Sequence, residues 1–369
     1  MRVTILHNAV SPDDSPSDRD VLVQAEAVVG ALDRLGHPWE QLSCTLDLEA
    51  LRRQLSARRP DAIFNLVESL AGQDALAHLV PALLEVLRIP YTGCPTEALF
   101  LTNNKLLTKR LLRQAGLPTP DWVTQEPEIH VAQPPPAVDG SQQTRDSRGG
   151  RPTADSRGGC PTADSRGRLS PISYGPYVVK AVSEHASFGL EEDCIVRVES
   201  RAAFQPILQG HSVRLGRACY AEQYIDGREF NVSVLAGPSG PEVLPPAEID
   251  FSAFPPGKPR MVGYRAKWEE GSFEFDHTPP RFDFPPADQP LLDRLGGLAL
   301  RCWQVFGLRG YARVDFRVDE AGEPWILEIN ANPCLSPDAG FYAALQRGSL
   351  CFEEGIARIL QDAILPNGG

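Results

Sequence analysis

At 369 residues the chain is longer than one ordinary hydrophobic core organises, so two or three domains are expected. Hydrophobic content of 42% and charged content of 23% are those of a water-soluble globular protein, and a formal charge of −12 argues against a nucleic-acid backbone or an anionic membrane as main partner. Eight cysteines without a close pair suit reduced thiols in a cytoplasm better than a disulfide framework or a zinc site, and no long apolar run follows "MRVTILHNAV", so neither a signal peptide nor a membrane span is expected.

In chain order, "RVTILHN" reads as a strand, followed by the polar loop "AVSPDDSPSD" and a helix from about Asp20 to Leu35 that Gly36 ends. An acidic–basic helix (Asp47 to Ala57), a strand "DAIFNLV", a helix (Gln73 to Leu87) and "IPYTG" come next. Strand–helix alternation implies a parallel sheet, so the first hundred residues form a small α/β unit. "NNKLLTKRLLRQAGLPTP" is a helix with Asn103 as its cap and Gly116-Leu117-Pro118 as its stop. Residues 126–172 break the pattern. "DSRGGRPTADSRGGCPTADSRGR" repeats every nine residues from Asp146 and lacks the apolar positions needed to offset its ordering entropy, so it is expected to be a disordered insertion.

Beyond it, "YVVKAV", "CIVRV", "RACYAEQYI" and "EFNVSVLA" read as strands, the last two around a hairpin-like turn at Asp226-Gly227. Residues 237–289 are Pro-rich with short strands. A helix from Leu291 to Phe306 then leads to the strand "GYARVDFRV", the turn "DEAGEP" and the strand "EPWILEINANP". Period-2 alternation places Trp325, Leu327 and Ile329 on one face and Ile326, Glu328 and Asn330 on the other, while Arg313, Asp315 and Arg317 share a face of the preceding strand. Folding back at the turn brings Asp315 beside Glu328 and Asn330. Two carboxylates and an amide oxygen are hard donors suited to Mg²⁺ shared with nucleotide phosphates. The same pattern also fits a solvated hairpin face whose acids pair with Arg313 and Arg317. Lys105 opens a helix, and Lys180 lies in an otherwise apolar strand, where an unpaired ammonium is costly, so it needs an anionic partner. The small-residue run "SEHASFG" after it, containing Ser187, could close its backbone amides over phosphates.

The order of "IPYTG", "NNKLLTKRLLRQAGLPTP", "YVVKA", "SFG", "AEQYIDGREFNVSVL", "YRAKW", "GYARVDF" and "LEINANP" resembles the ATP-grasp superfamily, and within it the chain is similar to the D-alanine–D-alanine ligases over nearly its whole length apart from the insertion. The resemblance implies an α/β fold, α+β in its C-terminal part: an ATP-grasp fold behind an N-terminal Rossmann-like domain. It implies an N-terminal domain 1–102, a central subdomain 103–219 interrupted by 126–172, and a C-terminal subdomain 220–365 carrying the metal site. It also implies ATP and Mg²⁺ or Mn²⁺ as cofactors. Lys105, Lys180 and Ser187 would contact phosphates, Glu222, Gln223, Tyr224 and Ile225 would line the adenine pocket, and Glu229 would hold the ribose. Lys267 would reach the γ-phosphate from a mobile loop. Asp315, Glu328 and Asn330 would hold metal, and Arg313 would stabilise the oxyanion of a tetrahedral intermediate. The implied partners are small molecules, with no nucleic acid and no membrane; a homodimer is common in the family, and no feature of the sequence decides it.

Departures from the family pattern fall on the amino-acid side. The family's Glu, Ser and Tyr, linked by hydrogen bonds, meet Asp20, Ala186 and Trp268. Glu68, in "NLVESLAGQD", takes a His position, and Cys334 replaces a glycine near the oxyanion site. A site that selects through a few polar groups changes substrate when they change. The expectation is therefore a cytoplasmic ATP-dependent carboxylate–amine ligase acting on an amino acid or small peptide other than two D-alanines. Its rivals are a true D-alanine–D-alanine ligase and an ATP-binding pseudoenzyme, the latter opposed by the intact lysines and acids. Asp20 also fits an ordinary acid favoured at a helix N-terminus.

Overall fold

The structure, a computed structural model, describes residues 1–125 and 174–364. The segment 126–172, expected to be a disordered insertion, lies outside the described residues.

The N-terminal part alternates β1 (Val3–Asn8), α1 (Pro16–Arg34), β2 (Trp39–Cys44), α2 (Leu48–Arg58) and β3 (Ala62–Asn65), and its strands pair in parallel in the order β2-β1-β3. Every residue of β1 is buried, as a central parallel strand covered on both faces requires. α1 starts about a turn before the expected Asp20, because Ser15 accepts the Asp18 amide and Pro16 supplies a pre-set φ. Its buried stripe of Val21, Gln24, Ala25, Val28, Ala31 and Leu32 faces the sheet. The single helix expected from Gln73 to Leu87 is a 3₁₀ turn (Asp74–Leu76) followed by α3 (Leu79–Leu87). A short α4 (Thr96–Thr102), not foreseen from the sequence, precedes α5 (Lys105–Gln114). The cap of α5 is Asn104, whose side chain accepts from the amides of Leu106 and Leu107 at 3.1 Å each. Asn103, expected as the cap, ends α4 instead and donates to the Asp74 carbonyl at 2.8 Å.

The next sheet is antiparallel: β4 (Trp122–Thr124), β5 (Gly175–Ala181), β6 (Ile195–Val198) and β7 (Cys219–Gln223) in the order β4-β7-β5-β6, with α6 (Arg201–Leu215) between β6 and β7. The remaining strands are β8 (Arg228–Gly237), β9 (Gly240–Val243), β10 (Ala247–Ile249), β11 (Pro280–Arg281), β12 (Tyr311–Val318) and β13 (Pro324–Asn330). They run β11-β10-β8-β12-β13, with β9 added to β8. Between β10 and β11 lie two short helices, α7 (Tyr264–Trp268) and α8 (Phe273–Asp276), and α9 (Gln289–Val305) precedes β12. The expected hairpin at Asp226-Gly227 is not one: β7 and β8 belong to different sheets. Gly227 has φ +140°, and a Cβ there would lie 2.0 Å from the Val318 carbonyl oxygen, so the crossing needs a glycine.

Phe230, Val232 and Val234 of β8 and Ala312, Val314 and Phe316 of β12 form a core with Leu295, Ala299 and Cys302 of α9. The opposite faces of these strands carry Glu229, Asn231, Arg313, Asp315 and Arg317, turned to a cavity. The last helices, α10 (Gly340–Arg347) and α11 (Phe352–Ile364), return to the N-terminal part, where Phe352, Ile356 and Ile359 pack in one core with Val21, Val28 and Leu32. No helix among the described residues is long and apolar enough to cross a membrane.

Candidate active site

A cavity of about 890 Å³ opens between the three sheets. Every site residue singled out from the sequence lines it, from Asp20 and Glu68 at one end to Glu222, Gln223, Tyr224 and Ile225 at the other.

At its centre, three strands place Asn231, Asp315 and Glu328 side by side, with Arg313 and Asn330 one row along. Asp315, 7% exposed, holds a two-point pair with Arg313 (Nε–Oδ1 2.7 Å, Nη2–Oδ2 2.9 Å) and accepts from the amides of Asn231 (2.8 Å) and Asn330 (3.0 Å). The pairing of an arginine with the acid of its own face, one of the alternatives left open by the sequence, is therefore present for Arg313. Arg317 turns instead to Glu229 (3.5 Å) and the Gly227 carbonyl (2.9 Å).

The expected strict alternation along β13 is corrected by a bulge. Asp315 pairs with Glu328 but Phe316 with Ile326, which leaves Leu327 unpaired. Ile326 and Ile329 consequently both enter the core, while Leu327, Glu328 and Asn330 all reach the cavity. Glu328 is 3.6 Å from Lys105, and among the described residues its carboxylate takes no hydrogen bond. Burial would raise its pKa, but Lys105, Lys267, His185 and Lys180 together hold it well below the usual carboxylate range.

Lys180 finds the anionic partner its burial demanded: Glu222, at 2.5 Å. Glu222 is 1% exposed and also meets Lys109 at 2.6 Å. Burial opposes its charge, yet the two lysines outweigh it and lower its pKa. Lys105 donates to the Glu184 carbonyl. Lys267, on α7, is drawn down in pKa by burial and by Arg313, with Glu328, Asp315 and Glu229 acting the other way. On the same helix Trp268 donates to the Ala186 carbonyl (3.0 Å), and the Ser187 hydroxyl donates to the Val262 carbonyl (3.0 Å), which ties the loop 183–189 to the segment around α7.

The other end is acidic. Asp20 accepts from Ser336 (2.8 Å), the Cys334 thiol (3.0 Å) and Gln24 (3.1 Å), and the same Gln24 amide donates to Glu68 at 2.8 Å. Burial pushes the Glu68 carboxyl up to about 8, against the Gln24 hydrogen bond and with help from Asp20, Asp74 and Asp18.

Three contributors escaped sequence reasoning. Gln24 follows Asp20 by four residues on a helix, a spacing that puts both on one face. Asn231 follows Glu229 by two on a strand, which likewise shares a face. Lys109 follows Lys105 by four.

Two carboxylates and an amide suit a hard cation, with no thiolate or imidazole in the set. Among the described residues no three His, Cys, Asp or Glu side chains gather for a metal, so a third protein oxygen must come from an amide, and Asn330 is the neighbour. The donor set fits Mg²⁺ on chemistry, provided Asn330 turns its oxygen inward and Asp315 yields part of its pairing.

The family described as D-ala D-ala ligase C-terminus matches residues 169–361. A D-alanine–D-alanine ligase of Moorella thermoacetica is 30% identical over 369 residues, covering 99% of this chain and 100% of the relative. An uncharacterized protein of Sinorhizobium fredii is 29% identical over 346 residues, covering 92% and 87%. The structure of a D-alanine–D-alanine ligase from Bacillus anthracis complexed with ATP superposes with a TM-score of 0.64 at 19% identity, covering 99% of this chain and 97% of that one. At that identity the likeness establishes the shared fold.

Proposed function

The chain belongs to the D-alanine–D-alanine ligase family of the ATP-grasp superfamily and is an ATP-dependent carboxylate–amine ligase; on that premise we propose that it joins an amino acid or small peptide to an amine, with substrates other than two D-alanines. The observation that carries this reading is the division of one cavity into a cation-bearing end and an acid-bearing end.

A carboxylate is a poor electrophile. In the proposed reaction its oxygen attacks the γ-phosphorus of ATP, the bond to the β–γ bridging oxygen breaks, and ADP leaves. The amine then attacks the acyl carbon of the acyl phosphate and loses a proton, and phosphate departs. The protein's task is positioning and charge compensation rather than covalent chemistry. Lys105 and Lys180 suit the phosphates, and Lys267 suits the group in transfer. Glu222 to Ile225 suit the base, and Glu229 suits the ribose. Arg313 would meet the oxyanion once released from Asp315. Asp315, Glu328 and Asn330 would hold Mg²⁺, which when bound neutralises phosphate charge. Asp20 and Glu68 suit the amino group of the substrate, in a pocket completed by Trp268 and Cys334.

The names of the curated relatives favour the rival reading, D-alanine–D-alanine ligase itself. Against it stand Ala186 and Trp268 where that activity's serine and tyrosine would be, and Glu68 where its histidine would be. ADP release measured across a panel of D- and L-amino acids decides the matter. Turnover with amino acids other than D-alanine supports the proposal, and robust synthesis from D-alanine alone at low millimolar concentration overturns it. ATP binding without ADP release on any substrate would mark a binding module.

A further inference from the structure

Lys109 lies one turn beyond Lys105 on α5 and is fully buried. Its ammonium donates to Thr119 Oγ1 at 2.7 Å and the Pro120 carbonyl at 3.0 Å and forms an ion pair with Glu222 Oε2 at 2.6 Å, outside hydrogen-bond geometry. Glu222 gives its other oxygen to Lys180 at 2.5 Å. One buried carboxylate therefore sits between two lysines, and they differ in access. The Lys180 side chain is 12% exposed and lines the cavity, whereas that of Lys109 is 1% exposed and does not. Thr119 in turn donates to the Ile326 carbonyl at 3.0 Å, which joins this node to the bulged part of β13.

A buried carboxylate with a single counter-ion holds it tightly, because losing it strands a charge away from water. With two, it can release one. We infer that Lys109 is a positioning residue of the nucleotide site: as the resident counter-ion of Glu222, it frees Lys180 to move onto the phosphates of the incoming nucleotide. The inference rests on the ATP-dependent reading proposed above. It adds that nucleotide affinity is set in part by a lysine that never touches the nucleotide.

Lys109→Met leaves Lys180 as the sole counter-ion of Glu222, so ATP must compete with that carboxylate. The expected result, by calorimetric titration of the full chain with ATP and Mg²⁺, is a Kd raised by on the order of tenfold or more. In steady-state turnover the KM for ATP rises more than kcat falls. A merely structural lysine would lower the melting temperature without raising the Kd of the folded protein, whereas here the Kd itself rises and its rescue is expected. Adding Glu222→Gln removes the competing charge, so the Lys109→Met/Glu222→Gln double variant recovers affinity relative to Lys109→Met. It also binds ATP within a few-fold of Glu222→Gln alone. That second comparison holds even if Lys109→Met alone fails to fold. Unchanged affinity in Lys109→Met, or a double variant far weaker than Glu222→Gln, overturns the inference. Failure of the unsubstituted protein to bind ATP would instead overturn the reading of the site itself.

Discussion

At one end of the cavity Lys105, Lys180, Lys267 and Arg313 stand among Glu222, Glu328 and Asp315; at the other, Asp20 and Glu68 share a single neutral amide, that of Gln24. Two glutamates of the cavity, Glu328 and Glu68, shift in opposite directions. Burial opposes ionisation of both Glu328 and Glu68. Lysines reverse that penalty at Glu328, while at Glu68 no ion pair among the described residues does so, and neighbouring acids add to it. On the proposed function, the first end is a set of ion pairs that a polyanion with its metal would enter by swapping partners. The second has room for a cation or a proton. Burial alone therefore does not say what a carboxylate is for; its counter-ions do.

The sharpest way to break the comparison is at Glu328. Glu328→Ala removes the least engaged acid of the first end, and turnover is predicted to fall by about 10²-fold or more. The circular dichroism spectrum should be unchanged, because the side chain faces the cavity rather than the core. A collapsed spectrum would make Glu328 structural. Lys267→Ala follows in size. As a cation on a short helix tied to the loop by Trp268 and Ser187, it should lower kcat by up to about 10²-fold while raising the KM for ATP less. Equal effects on both would show that α7 does not act as a lid.

Glu68→Gln probes the other end and should be smaller. With its carboxyl raised from an ordinary 4.5 to about 8, native Glu68 keeps a proton that the unfolded chain has lost between those values. Its contribution to stability therefore falls as pH rises through that window, and Glu68→Gln should remove this slope from the melting temperature. For an amine-bearing substrate the sign reverses: KM should fall as pH rises towards about 8 and the carboxyl ionises, and the variant should lack that fall. Matching pH profiles for variant and parent would remove Glu68 from the account. The smallest effect belongs to Trp268→Phe, which loses one hydrogen bond to Ala186 and should cost about 1 kcal/mol by chemical denaturation.

Much of the first end was legible in the sequence, because it is built from period-2 faces. Arg313, Asp315 and Arg317 alternate with core residues along β12 as the spacing implies. The bulge at Leu327 was not legible: an extra residue in one strand is set by the partner's register, which local alternation does not contain. Nor was the separation of β7 from β8. A short Asp-Gly connection is what a hairpin uses, and only the backbone of β12 pressed against Gly227 shows the chain crossing between sheets. α6 hid behind Pro206 and Gly210, residues that normally argue against a helix. Asn103 and Asn104 are equivalent as caps by type, and the choice fell to Asn104 because α4 claims Asn103. At the second end Asp20 and Glu68 are far apart in sequence, so their shared amide donor emerges only when α1 packs beside the segment after β3.

The central claim, that the β12–β13 hairpin seats divalent cations against a nucleotide tail, is tested most directly by anomalous scattering from crystals grown with Mn²⁺ and a non-hydrolysable ATP analogue. The account predicts a manganese peak within bonding distance of Asp315, Glu328 and Asn330 oxygens, next to the terminal phosphates. Nucleotide density accompanied by manganese elsewhere, or by none, would contradict it.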